Sequence, residues 1–255
     1  MRMSHIFENA DTEMDMVDGA GDNRISVAWC ETIMPFSLST IIKNGVGFVL
    51  AFRTIQNLGT EKHKHHLEEI ASFRDVGSFG LTELGHGSNV KGIETTAVFD
   101  PATQEYIINT PSEQAMKFWI GGVGKTATLC CVWAHLMVNG ESKGVHIFIV
   151  RIRERGTHDL MPGVIAGDCG PKMGAHGIDN GFLVFENFRV PKDALLDRFC
   201  EMKPDGTYHS DMDPDVLFGL SLGSFSSGRI TLIAGGAKTA TVATQIAIRY
   251  ACVRR

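Results

Sequence analysis

The sequence has no Cys-x-x-Cys pair, no Asn-x-Ser/Thr sequon and no excess of basic residues. Its six cysteines (Cys30, Cys130, Cys131, Cys169, Cys200, Cys252) are scattered, and the adjacent Cys130 and Cys131 cannot close an unstrained bridge with each other. That excludes a disulfide framework and points to a reducing compartment. Met1 is followed by no apolar stretch of signal-peptide type, and the longest apolar run, Leu129 to Val138, is interrupted by His135. The expectation is a soluble intracellular protein without membrane insertion. The formal net charge is −5, yet residues 1 to 22 hold six acids (Glu8, Asp11, Glu13, Asp15, Asp18, Asp22) against Arg2 alone. The other 233 residues carry 23 bases and 23 acids. Such a body releases few counterions from nucleic acid and is not drawn to an anionic membrane, so an anionic ligand must be held by a few placed groups.

What is present is 255 residues, 44% hydrophobic and 21% charged, with a mean hydropathy of +0.01. This suits one large or two smaller globular domains and excludes a disordered, collagenous or coiled-coil chain. Residues 1 to 24 read as an acidic tail. From Ser26 to Leu58 apolar residues recur at three and four, which predicts two helices broken near Asn44-Gly45. Thr60 can cap a short helix through Leu67, and His63, His65 and His66 read as a wet helix surface rather than a metal site. Period-two segments follow. Glu94–Phe99 and Glu105–Asn109 predict a hairpin around Asp100-Pro101, Thr126–Val138 and Val145–Ile152 predict another, and Gly181–Val190 predicts a further strand. Asp213-Pro214 supplies an N-cap and first helical residue, after which a helical segment runs to Arg255 with small residues such as Gly235, Gly236 and Ala237 in its interior. The fold class is α+β: a helical region over 25–76, an antiparallel β-barrel over 77–207 and the start of a helical bundle over 208–255.

Gly121-Gly122-Val123-Gly124-Lys125-Thr126 invites a phosphate-loop reading, but the position five residues before Gly124 is Trp119, and a strand-like rather than helical segment follows. A loose dinucleotide match at Gly122–Ala127 fails on the same context. No nucleophile elbow, His-Glu-x-x-His or zinc spacing occurs. The informative stretch is Leu81-Thr82-Glu83-Leu84-Gly85-His86-Gly87-Ser88-Asn89, where glycines flank a histidine and hydroxyls stand at both ends. It describes either a plain loop or a turn whose backbone approaches a ligand.

This stretch, followed in order by Lys117-Phe118-Trp119-Ile120-Gly121, Gly167-Asp168-Cys169-Gly170-Pro171-Lys172-Met173-Gly174, Asp179-Asn180-Gly181, Arg189-Val190-Pro191 and Ile248–Arg255, resembles the peroxisomal acyl-CoA oxidases. The related acyl-CoA dehydrogenases carry Thr-Glu-Pro-Gly where Thr82-Glu83-Leu84-Gly85 stands here. The resemblance implies an FAD enzyme that desaturates fatty acyl-CoA to trans-2-enoyl-CoA and passes the electrons to O₂, giving H₂O₂, as a peroxisomal homodimer. It further implies that Thr82, Gly87, Ser88, Gly121 and Arg254 contact the flavin cofactor, with Trp119 flanking the ring. Gly219, Leu220, Ser221, Leu222 and Arg229 would contact acyl-CoA. The family's general base, a glutamate, falls beyond Arg255, and none of the glutamates here matches it. A partial chain of such an oxidase is the leading reading; a non-catalytic flavin- or CoA-binding or dimerising module, or a dehydrogenase, is the alternative.

Overall fold

The computed structural model describes residue 28, residues 31–223 and residues 225–254. The acidic tail expected over 1–24 lies outside these. The chain separates into two compact units, residues 43–225 and a second made of residues 1–42 with 226–255.

A helical run begins as α1 (Leu38–Asn44), whose residues from Lys43 onward belong to the larger unit, becomes a π-helix over Gly45–Phe52 and continues as α2 (Arg53–Leu58). No break follows Asn44-Gly45; the residues that predict one mark instead the switch in hydrogen-bond register. By length and composition alone, Leu38–Leu58 could cross a membrane. Here its buried residues Gly47, Ala51, Phe52, Ile55 and Leu58 face inward, and a Cβ on Gly77 would lie 2.9 Å from that of Ala51. A short 3₁₀ turn, Glu61–His63, leads into α3 (Lys64–Ala71). His63 is not on a wet surface: it is 1% exposed, its Nδ1 accepts the Thr60 N–H at 2.9 Å, and its Nε2 lies 3.0 Å from the carbonyls of Asp193 and Leu195.

The β region begins with β1 (Gly77–Gly80), β2 (Thr96–Asp100), β3 (Glu105–Asn109), β4 (Lys117–Ile120), β5 (Leu129–Val138) and β6 (Glu141–Arg151). It continues with β7 (Val164–Asp168), β8 (Gly181–Phe185), β9 (Phe188–Pro191) and the small hairpin β10 (Glu201–Met202) and β11 (Tyr208–His209). The hairpins β2–β3 and β5–β6 form as the patterning predicts. The expected closed antiparallel barrel does not form among the described residues, since β1 and β2 both pair in parallel along one edge of β5 while β6 takes the other. The result is an open, mixed sheet running onward through β3 to β9, beside a separate three-stranded sheet β4–β8–β7.

The physical reason lies in β5. Cys130, Val132, Ala134, Leu136 and Val138 face the main core, while Cys131 and Trp133 on the opposite face are buried as well, Trp133 between Phe79 and Phe218. A strand covered on both faces reads as a continuous apolar run, the habit of a strand with parallel neighbours. The single strand expected over Gly181–Val190 is two strands in two sheets, because Asn187 turns the chain at φ 46°. Helix α4 (Pro214–Leu222) begins at Asp213, whose side chain caps the Asp215 N–H at 2.8 Å. In the smaller unit, α5 (Phe225–Val253) carries exposed Leu232, Ile233, Ile246, Ile248 and Val253, and a Cβ on Gly235 would collide with the thioether of Met34.

Gly181 sits where the β8 backbone passes Gly124, and an added Cβ would come 2.7 Å from the Gly124 nitrogen. Gly181→Ala is therefore expected to lower unfolding stability by about 1–3 kcal/mol, read by urea denaturation, with no such loss for Gly140→Ala beyond its own turn strain.

Candidate functional site

The segment that follows β1 is bonded to the start of β4 and to the irregular segment just before it. Leu84 N–H donates to Met116 O at 2.9 Å and Gly85 N–H to Gln114 O at 2.9 Å. Thr82 is bonded twice to one residue, its hydroxyl donating to Phe118 O at 2.8 Å and its carbonyl accepting from Phe118 N at 3.0 Å. Glu83 turns inward. Its carboxylate accepts from Glu94 N at 2.7 Å, Thr95 N at 3.0 Å and the Thr95 hydroxyl at 2.6 Å, and pairs with the Lys117 ammonium at 2.9 Å. Both side chains of that ion pair have no exposed surface.

Burial alone would raise the Glu83 carboxyl, but Lys117 and Thr95 together hold it below the usual carboxylate range. Burial pulls the Lys117 ammonium down to about 8 against the opposing attraction of Glu83. The pair is an internal brace.

Beside it, Trp119 occupies a β-bulge between Phe118 and Ile120, with φ of 64° and 54% of its surface exposed. A bulky residue in the left-handed region costs about 1–3 kcal/mol and collects where backbone is held in an unusual aim. Gly121 comes next, its carbonyl accepting from the Ser78 hydroxyl at 2.7 Å. Thr82, Trp119 and Gly121 thus lie along one seam between β1 and β4. The fold itself accounts for one glycine in it, since a Cβ on Gly121 would lie 2.8 Å from Val46 Cγ2. Gly87 is different: it is exposed, its φ is not positive, and a Cβ there would meet nothing within 4 Å. Ser88 beside it is exposed too.

The Gly-Lys-Thr loop is closed by the protein's own groups. The Asp179 carboxylate takes the N–H groups of Lys125 at 2.9 Å and Thr126 at 2.8 Å, while its carbonyl takes those of Gly122 at 3.1 Å and Gly124 at 3.2 Å. Arg153 donates to the carbonyls of Val123 and Ala127 at 2.7 and 3.1 Å. The donors that a phosphate would need are already engaged.

Residues 78–188 match the family described as acyl-CoA dehydrogenase, middle domain. Over those residues the chain is similar to the middle domain of that family. It is 46% identical over 203 residues to peroxisomal acyl-coenzyme A oxidase 3 of Homo sapiens, a match covering 79% of this chain and 29% of that protein. The solved acyl-coA oxidase1 of Yarrowia lipolytica is 35% identical with a TM-score of 0.86, over 96% of this chain and 35% of that one. An acyl-CoA oxidase-1 from Caenorhabditis elegans, solved in complex with FAD and ATP, is 36% identical with a TM-score of 0.63, over 65% of this chain and 26% of that one. The chain spans about a third of the length of the oxidases it matches.

The remaining residues that the superfamily resemblance singles out fall in two places. On α4, Gly219 and Leu220 are exposed and Leu222 is half-buried, whereas Ser221 is buried and donates to Leu217 O at 2.9 Å. An exposed ion pair, Lys91 to Asp215 at 2.8 Å, ties the first turn of α4 to the turn that follows Asn89. Arg229 and Arg254 are exposed on α5 and at its end, Arg254 with its guanidinium 5.9 Å from the Tyr250 ring centre. Sequence reasoning missed the Glu83–Lys117 pair. The signal was a lysine standing between Met116 and the apolar Phe118-Trp119-Ile120, where a strand facing solvent would have no need to enclose it.

Glu83→Gln strands the ammonium and is expected to cost about 3–5 kcal/mol near pH 6. Without its anion, Lys117 drops below the value of about 8 it holds in the native pair, while the unfolded chain keeps the proton to about 10.4. Across that window the unfolded state binds more protons, so the variant gains stability as pH rises. Urea midpoints should show the gap from the parent protein narrowing as pH rises toward about 8 and holding level above it.

Proposed function

We propose that this chain forms the flavin- and substrate-facing middle of an FAD-dependent acyl-CoA oxidase, acting in peroxisomal fatty acid β-oxidation as a homodimer. The division into residues 25–76, 77–207 and 208–255 belongs to the same reading. The observation that carries it is the seam at Thr82, Trp119 and Gly121: an exposed aromatic held in a costly backbone conformation, a fixed hydroxyl beside it, and at Gly87 a glycine that the fold does not itself require.

The residues fit a flat conjugated ring. Thr82 spends its hydroxyl hydrogen on Phe118 O, so the lone pairs left on that oxygen suit an N–H of the ring. Trp119 offers an exposed indole carried on the bulged backbone. Gly87 and Ser88 leave an open margin for the cofactor and for acyl-CoA. Arg254 would pair with the cofactor's pyrophosphate across the dimer, and Arg229 with the CoA portion, each through two parallel charge-assisted hydrogen bonds. Gly219, Leu220, Ser221 and Leu222 would line the acyl-CoA site. When bound, FAD supplies the acceptor for the β-hydride of the acyl-CoA and the route of its electrons to O₂. The chain's own contribution is orientation: it fixes the ring-facing hydroxyl and the indole before ligand arrives. The glutamate that takes the α-proton is assigned to none of these residues.

Flavin uptake is the test. The chain should bind FAD with perturbation of the flavin's visible band, and Thr82→Val should weaken binding roughly three- to tenfold, the worth of one hydrogen bond. Equal affinity in parent and variant, or no uptake by either, would count against the reading.

A further inference from the structure

Lys117 has no exposed side-chain surface, and its ammonium makes two contacts: Leu81 O at 3.1 Å and Glu83 Oε1 at 2.9 Å. These are the residues immediately before and after Thr82. The same lysine begins β4, pairs its backbone with Glu83, and is followed directly by Phe118, which bonds both ends of Thr82, and by the Trp119 bulge. Burying a charge pair rarely adds net stability over an apolar pair of the same shape, so the pair's presence asks for another explanation. Fixing one geometry among several is the best-attested use of such a pair.

We infer that Lys117 is a positioning residue, its ammonium clamping the two residues that flank Thr82 so that the Thr82 hydroxyl and the Trp119 bulge are held as one preformed surface. The functional consequence rests on the flavin reading; the clamp itself does not. Backbone bonds alone leave the seam free to open by fraying from Gly85, because Leu84 and Gly85 bond only to the irregular segment at Gln114 and Met116. The ammonium adds a tie from inside the fold, beyond the reach of water.

Amide exchange on the unsubstituted chain gives the first reading. Glu83 and Phe118 should be protected to within about tenfold of Trp133 and Phe148 in the core strands, and exchange at the rate of an exposed loop would overturn the clamp. Lys117→Met alone strands Glu83 and is expected to unfold the region, so the informative protein is Lys117→Met with Glu83→Gln, which removes both charges. It should still melt cooperatively, within several degrees of the parent, the difference coming from the Glu94 or Thr95 N–H that the amide nitrogen cannot accept. Its amides at Glu83, Leu84 and Phe118 should exchange at least about tenfold faster while those of Trp133 and Phe148 keep parental rates, and its FAD affinity should fall about tenfold. A purely structural pair would restore exchange and affinity along with melting temperature, and that result would overturn the inference. Faster exchange with unchanged FAD affinity would overturn the link to the ligand. If the parent takes up no flavin, the functional reading fails while the exchange data still decide the clamp.

Discussion

A cation shut away from water must find its partners inside the protein, and Lys117 finds them at Leu81 and Glu83. That requirement fixes more than a side chain. Glu83 can serve only if it points inward, with Thr82 lying against Phe118, and Lys117 together with the Thr95 hydroxyl and the Glu94 and Thr95 N–H groups holds it below the usual carboxylate range. The residues just before β2, the loop after β1 and the first residue of β4 are thereby joined through one buried ion pair. The exposed Trp119 bulge is the outward face of the same arrangement.

Two glycine-rich segments in this chain look alike on paper and differ in what they leave available. In Gly121–Thr126 the loop wraps around Asp179, which acts as an internal anion and occupies the cradle that a phosphate would otherwise fill. Lys43 balances that carboxylate at 3.1 Å, and burial of the aspartate is offset by these donors, so it stays below its ordinary pKa. In Leu81–Asn89 the Thr82 hydroxyl and the Glu83 carboxylate are equally committed, yet Gly87 and Ser88 stand outside the brace and face solvent. A closed loop is architecture; an open margin beside a braced seam is where a ligand can be met.

The local parts of the fold were legible. The hairpins β2–β3 and β5–β6 and the Asp213 cap of α4 follow from short-range patterning and turn chemistry. The parallel pairing of β1 and β2 with β5 was not, because it joins residues far apart in the chain and leaves no turn to read; the double-faced burial of Leu129–Val138 was its only trace. Neither was the division of Gly181–Pro191 into strands of two sheets, which depends on one left-handed asparagine. At the site, residue types gave Thr82, the glycines and Trp119 through resemblance to a family, while the brace that holds them escaped, since burial of a lysine is set by tertiary packing and a lone charge in an apolar stretch has many readings. His63 escaped for the same reason: three nearby histidines suggest a wet face, and only the fold buries one of them.

The central claim is that the Thr82 loop and the Trp119 bulge form one surface that receives a flat ring. The indole N–H resonances of the chain report on it directly, with Trp119 assigned through Trp119→Phe. Adding FAD should shift the Trp119 resonance and leave that of Trp133, enclosed between Phe79 and Phe218, in place. A Trp119 resonance that does not move while the flavin is bound would contradict the account.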